Sequence, residues 1–217
     1  MKPFSTHTDE NGNVVAVKDD GDLGVYKHEG VGSAALSSVN GSYHKGNISA
    51  GGEKMGESLH SLSFADQSLY NDTGEVKPAD IQIDFGSSEL TDKVDAIIEA
   101  KPSLKEYASK AGTNGAWDLK TKVENGSLLY GKYASPRDAG NYAAGAVAVQ
   151  SGIEPVVQFG FAAYNMTGNN KLLTGIVTGA VGLNPSGGGV IGLLISKFGE
   201  DKLSQRSIDI GKQHFKK

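Results

Sequence analysis

Hydrophobic and polar positions change rhythm several times along this chain. Asn13-Val14-Val15-Ala16-Val17 and Leu23-Gly24-Val25-Tyr26 flank Asp19-Asp20-Gly21-Asp22, which predicts a β-hairpin closed by a glycine turn. Residues 29–53 are rich in Gly and Ser with little periodicity and read as a long loop. Met55 to Gln67 reads as a short helix carrying His60. Ile81, Ile83 and Phe85 alternate with polar residues, the pattern of a strand with one buried face. Leu90, Val94, Ile97 and Ile98 then recur at helical spacing, and Lys101-Pro102 ends that helix. Ser103-Leu104-Lys105-Glu106 has capping-box spacing and predicts a second helix.

Strict alternation returns at 117–124. Trp117, Leu119, Thr121 and Val123 interleave with Asp118, Lys120, Lys122 and Glu124, and Asn125-Gly126 follows. That pair favours a two-residue hairpin turn, so Ser127 to Ala134 is expected as the return strand. In that register Val123 faces Leu128, Leu119 faces Lys132 and Trp117 faces Ala134. Lys132 would then lie on the Trp117/Leu119 face, either inward or snorkelling at the sheet edge. Asp118 and Lys120 would share the opposite face. Ser135 suits an N-cap, Pro136 the first helical position and Asp138 the first turn, predicting a helix from Pro136 to about Gln150. A last helix is expected over Lys202–Phe215. Together these elements predict an α+β fold: a small antiparallel sheet with hairpins, packed by helices, and a Gly-rich carboxy-terminal half. Residues 1–75 form the hairpin- and loop-rich front, and 76–217 the main domain.

Composition narrows the chemistry. The 217 residues include 30 glycines and no cysteine, which excludes a disulfide scaffold, a Cys-ligated zinc site and thiol catalysis. The net charge of −4 is unevenly spread. Residues 139–196 hold only Glu154 and Lys171, the tail from Lys197 is basic, and the acidic excess belongs to the first 138 residues. Global charge therefore does not decide between a polyanionic substrate and a cell-wall substrate. Leu172 to Ser196 is the most apolar stretch, but a membrane-spanning helix needs about 20 uninterrupted apolar residues. Asn184-Pro185-Ser186-Gly187-Gly188-Gly189 breaks it. Buried core is the stronger reading, with Gly175, Gly179 and Gly182 as close-packing positions; a pore is the weaker one, and no stable membrane insertion is expected. The amino terminus lacks a signal-peptide run, so the chain is expected to be cytosolic or delivered by a carrier. His7, Asp9, Asp22 and His28 lack metal-ligand spacing, and no cofactor is expected.

One family resemblance runs through the second half. Trp117-Asp118-Leu119-Lys120, the run from Leu129 to Asn141, and Phe198 to Gln205 with Ile208-Asp209-Ile210-Gly211 resemble the bacterial polymorphic toxin type 44 family. The segments 7–13 and 20–28 resemble those before the toxin tip in Rhs/YD-repeat proteins. The resemblance implies a toxin tip at 76–217, carried by a larger secreted protein or secretion-system component into a rival bacterium. It also implies a cognate immunity protein and ribonuclease activity.

An RNase needs a base, an acid and a cation for the phosphorane charge. The candidates are His60, Asp118, Lys120, Lys132, Arg137 and Asp138, with Arg137 beside a helix start as a phosphate clamp. Tyr130, Asn141 and Gln205, inside the resembling motifs, are the candidate substrate-binding residues. The competing enzyme is a peptidoglycan hydrolase using two of Asp118, Glu124, Asp138 and Asp201. A pore-former built on 142–196 and a non-enzymatic interaction module complete the alternatives.

Overall fold

The computed structural model describes residues 2–152 and 202–216. The Gly-rich stretch read as core or pore, including Gly175, Gly179 and Gly182, lies outside the described residues, as do Phe198 to Asp201. The α+β class expected from the sequence is present: a four-stranded sheet, a two-stranded sheet and seven helices among the described residues. They fall into two compact units, one of residues 2–95 with 119–139, the other of 96–118 with 140–152 and 202–216.

The first unit is organised by a strand that hydropathy does not reveal. β1 (Phe4–Thr8) is central, β2 (Val14–Asp19) pairs antiparallel to it and β3 (Gly24–Lys27) pairs parallel to its other side. β4 (Glu53–Glu57) completes the order β2-β1-β3-β4, antiparallel to β3. The expected 13–26 hairpin is therefore corrected: its two strands exist, but β1 lies between them. All five β1 residues are buried although three are Ser or Thr and one is His. A strand bonded on both edges satisfies its backbone, which lets such a polar sequence be central. The β1–β2 connection is knotted onto Asp9. Its carboxylate accepts the amides of Asn11, Asn13 and Gly32, at 2.9, 2.9 and 3.0 Å. Burial pushes this carboxyl up, but the bonds from Asn13, Gly32 and Asn11 outweigh it and hold it below the ordinary value.

Residues 29–53 are not only loop: α1 (Ser33–Ser42) lies there and buries Ala35 and Val39. Val39 packs with Ala16 of β2 and Ala50. Its sparse apolar residues explain why no periodicity marks it. The helix expected over 55–67 is also corrected. Met55 belongs to β4, His60 to Ala65 make turns, and α2 (Gln67–Thr73) begins only after Asp66 caps Leu69 N–H at 3.0 Å. The Ile81–Phe85 segment bridges at its centre, Asn13 with Gln82 and Ile83 with Gly126, and turns at Phe85, whose ring meets Tyr133 edge-on. Ile83 alone of its three apolar residues is buried.

The 117–134 hairpin is displaced. Leu119–Lys122 forms a helical turn, α5, and the hairpin is β5 (Ser127–Leu129) with β6 (Lys132–Ala134). Its turn residues are Tyr130 and Gly131, with φ of 47° and 83°. Asn125-Gly126 serves another purpose. Gly126 donates to Gln82 O and accepts from Asp84 N–H, both at 2.8 Å, and a Cβ on it would meet Phe64 at 2.7 Å. The glycine is there for close approach rather than for a turn.

α3 (Glu89–Glu99) and α6 (Pro136–Gln150) contribute residues to both units. In the second unit, α4 (Leu104–Ala111) starts where expected, with Ser103 Oγ accepting from Glu106 N–H at 3.3 Å. Ser103→Ala is expected to lower stability by about 1 kcal/mol, read as a lower urea midpoint. Tyr107 packs on Trp117, and the Lys110 ammonium lies 4.5 Å from the Trp117 ring centre. α7 (Lys202–Phe215) crosses α6 at two glycines, Gly145 and Gly211. No helix among the described residues is long and apolar enough to cross a membrane.

Candidate active-site cleft

The first turn of α6 is fixed by a reciprocal cap. Ser135 Oγ accepts from Asp138 N–H at 3.2 Å, and Asp138 Oδ2 accepts from Ser135 N–H at 3.4 Å. The spacing Ser-x-x-Asp reproduces the capping box with a shorter acid. Asp138 is wholly buried, and its other oxygen accepts from His60 Nε2 at 3.0 Å and from Gln67 Nε2 at 3.4 Å. The histidine tautomer follows from its far side. Leu62 N–H points at His60 Nδ1 at 3.2 Å, so Nδ1 holds the lone pair and the ring proton is on Nε2. Ser63 Oγ accepts from His60 N–H at 3.1 Å and closes the turn. Two sequence candidates 78 residues apart, His60 and Asp138, are thus one buried pair.

Gln67 and Ser135, both bonded to Asp138, line a cleft of about 330 Å³, at the low end of ligand-pocket volumes. Lys120 and Arg137 line it, together with the acids Asp66, Asp80 and Glu124 and the edge of Gln67. Lys120 is exposed and Arg137 half-buried. Arg137 comes from the opening turn of α6, at the positive end of the helix dipole. Of the six residues expected to be catalytic, four are thereby gathered: Lys120 and Arg137 in the cleft, His60 and Asp138 behind it.

The other candidates stand elsewhere. Lys132 is not inward on a Trp117/Leu119 face, because no such face exists. It is exposed on β6 and pairs with Glu57, whose carboxyl Lys132, and then Lys54, hold below its ordinary value. Asp118 and Lys120 do not share a strand face either. Asp118 is buried in the second unit, accepting Asn114 N–H at 2.9 Å and closing a loop. Tyr130 occupies the hairpin turn with its hydroxyl on Asp95. Asn141 and Gln205 both belong to the second unit, the latter donating to Asp209 at 2.9 Å on α7.

No family model, curated protein or solved structure matched the chain. Among the described residues no group of three or more His, Asp or Glu is placed to hold a metal ion. Sequence reasoning missed Asp66, Gln67 and Asp80. Asp66 carried a legible signal, an N-cap residue type before Gln67-Ser68-Leu69, which the misplaced 55–67 helix obscured.

Proposed function

We propose that this chain is the toxin domain of a secreted antibacterial effector and that it cleaves RNA inside the target cell. The observation that carries the reading is the pairing of Arg137 and Lys120 in one cleft at the positive end of α6. A phosphodiester seated there meets a planar guanidinium suited to two of its oxygens and a second cation.

In this reading, Glu124 takes the 2′-hydroxyl proton as the 2′-oxygen attacks phosphorus. Lys120 gives a proton to the departing 5′-oxygen. Arg137 balances the charge on the non-bridging oxygens. The products are a 2′,3′-cyclic phosphate and a 5′-hydroxyl. His60 and Asp138 stand outside the cleft lining and, with Gln67 at its wall, position the first turn of α6 and hence Arg137. Delivery by a carrier and a cognate immunity protein complete the proposal. One specific observation supports the competing wall hydrolase: Asp66, Asp80 and Glu124 line the same cleft, offering a pair of carboxylates.

The deciding experiment supplies the purified chain with a ribosome-plus-tRNA mixture and, separately, with sacculi. RNA fragments ending in cyclic phosphate are expected. Arg137→Ala and Lys120→Ala should each slow cleavage by about 10²–10³-fold, the size of a lost transition-state charge contact. Lys132→Ala should not change the rate. Intact RNA with solubilised sacculi overturns the nuclease reading. RNA cleavage that survives both cleft variants moves the site elsewhere.

A further inference from the structure

The buried polar face of β1 carries a connected chain of hydrogen bonds that the cleft does not use. Ser5 and His7 lie two residues apart on one face of the strand. Asp20, in the connection from β2 to β3, accepts Ser5 N–H at 3.2 Å and the Ser5 hydroxyl at 2.5 Å. It also accepts the Tyr43 hydroxyl at 3.2 Å.

The direction of the chain follows from proton counting. The Ser5 hydroxyl has one hydrogen and gives it to the carboxylate, so toward His7 Nε2, 3.1 Å away, Ser5 Oγ accepts. His7 therefore carries its proton on Nε2 and a lone pair on Nδ1. His28 Nε2, 3.0 Å from that lone pair, must be the donor. The order is fixed: His28 donates to His7, His7 to Ser5, Ser5 to Asp20. Both imidazoles are neutral, His7 is wholly buried and His28 nearly so.

Added acid has no comfortable place in this arrangement. A proton on His7 Nδ1 sets two donors against each other at 3.0 Å. A proton on His28 Nδ1 keeps the bonds but buries a charge. The groups around the pair do not offset it. Lys18 of β2 repels it, while Asp22 attracts it but already holds the Tyr26 hydroxyl at 2.6 Å. Asp20 holds Ser5 and Tyr43. Tyr26 of β3 stacks on His7, Tyr43 after α1 meets its edge, and the Gly52 backbone closes over His28. A Cβ at Gly52 would lie 2.7 Å from that ring, so little room remains for water.

We propose that the His28–His7–Ser5–Asp20 chain is an acid-sensitive latch on the four-stranded sheet, shut while both imidazoles are neutral and opened by their protonation. His28 and His7 join the segment after β3 to β1, so opening falls on the β1–β3 pairing. Burial first, and then His28 and Lys18, pull the His7 pKa down to about 4; burial also lowers that of His28. In the opened sheet each imidazole titrates at its ordinary value of about 6.5. The open form thus binds more protons between those two values, and acidification across that window favours it.

Native-state hydrogen exchange tests the latch. Between pH 7 and pH 5, after correction for intrinsic exchange, protection of the Tyr26 and His28 amides, which lie on the β1 side of β3, should fall by about 20-fold through His7 alone. The β5–β6 amides should fall less. His7→Gln should flatten the dependence; should that variant not fold, His28→Gln at the open end should weaken it. The His7 ring signal in NMR should stay that of a neutral imidazole well below pH 6. A His7 titration near 6.5, unchanged protection at pH 5, or an equal loss across β5–β6 overturns the proposal.

Discussion

Gly145→Ala in α6 should destabilise the second unit by about 3 kcal/mol, although alanine is the better helix former by about 1 kcal/mol. A Cβ on Gly145 would lie 2.0 Å from Ile208 O, and one on Gly211 would lie 2.2 Å from Tyr142 O. Both obstacles are backbone, so no side chain can swing aside. The helices must separate, and every contact across the crossing loosens with them. Gly211→Ala should therefore resemble Gly145→Ala, and the double variant should cost less than the sum, because one separation relieves both. Gly41→Ala makes the contrast. Gly41 is also helical, but nothing lies within 4 Å of its Cβ position. There the propensity gain is unopposed, and stability should rise by up to about 1 kcal/mol. Urea midpoints of the three single variants and the double variant measure both signs. A neutral Gly145→Ala would mean that the two helices do not approach this closely.

The second large effect is expected at Asp138. Asp138→Ala removes the acceptor for His60 Nε2–H, Gln67 Nε2–H and Ser135 N–H together, leaving three donors in a buried site. Bonds to charged acceptors are worth about 1.5–3 kcal/mol, and an unsatisfied buried donor adds its own penalty. A loss of about 4 kcal/mol is a large part of the 5–15 kcal/mol that holds a typical domain. Asp138→Asn should fall between. Its amide can still accept from His60 through oxygen, but its NH₂ then faces Ser135 N–H. Chemical denaturation followed by far-UV circular dichroism gives the order Ala, Asn, wild type. If Asn and Ala are equally damaging, the carboxylate charge matters more than the acceptor geometry.

The helices were legible where apolar spacing and capping agreed. Leu90, Val94 and Ile97 are buried on α3, Ser103 caps α4, and the Ser135–Asp138 signal placed the start of α6 at Pro136. Strand pairing was not legible, because it depends on partners distant in sequence. Phe-Ser-Thr-His-Thr has no apolar alternation, yet it is the strand on which the sheet is built. The 117–124 alternation was a coincidence of composition: Leu119 and Val123 are buried, but as residues four apart about a helical turn. Tyr130 is poor turn chemistry by local rules, since a bulky residue at φ 47° is strained. Bonds from its amide to Thr91 and from its hydroxyl to Asp95 hold it there. For the cleft, Lys120 and Arg137 were visible as charged residues in motifs, while the pairing of His60 with Asp138 had no local signal.

The central place of β1 also fixes where this polypeptide can be cut. Segments that are not tied into a fold tolerate removal. Here residues 4–8 stand between β2 and β3, with bonds on both sides. A version starting after Thr8 would keep two strands whose inner edges face an empty slot. Such a slot is a template for an added extended peptide. The chain severed in the 9–13 connection is thus suited to reconstitution from a peptide carrying β1 and the body that follows it, a split protein with its join at the middle of the sheet.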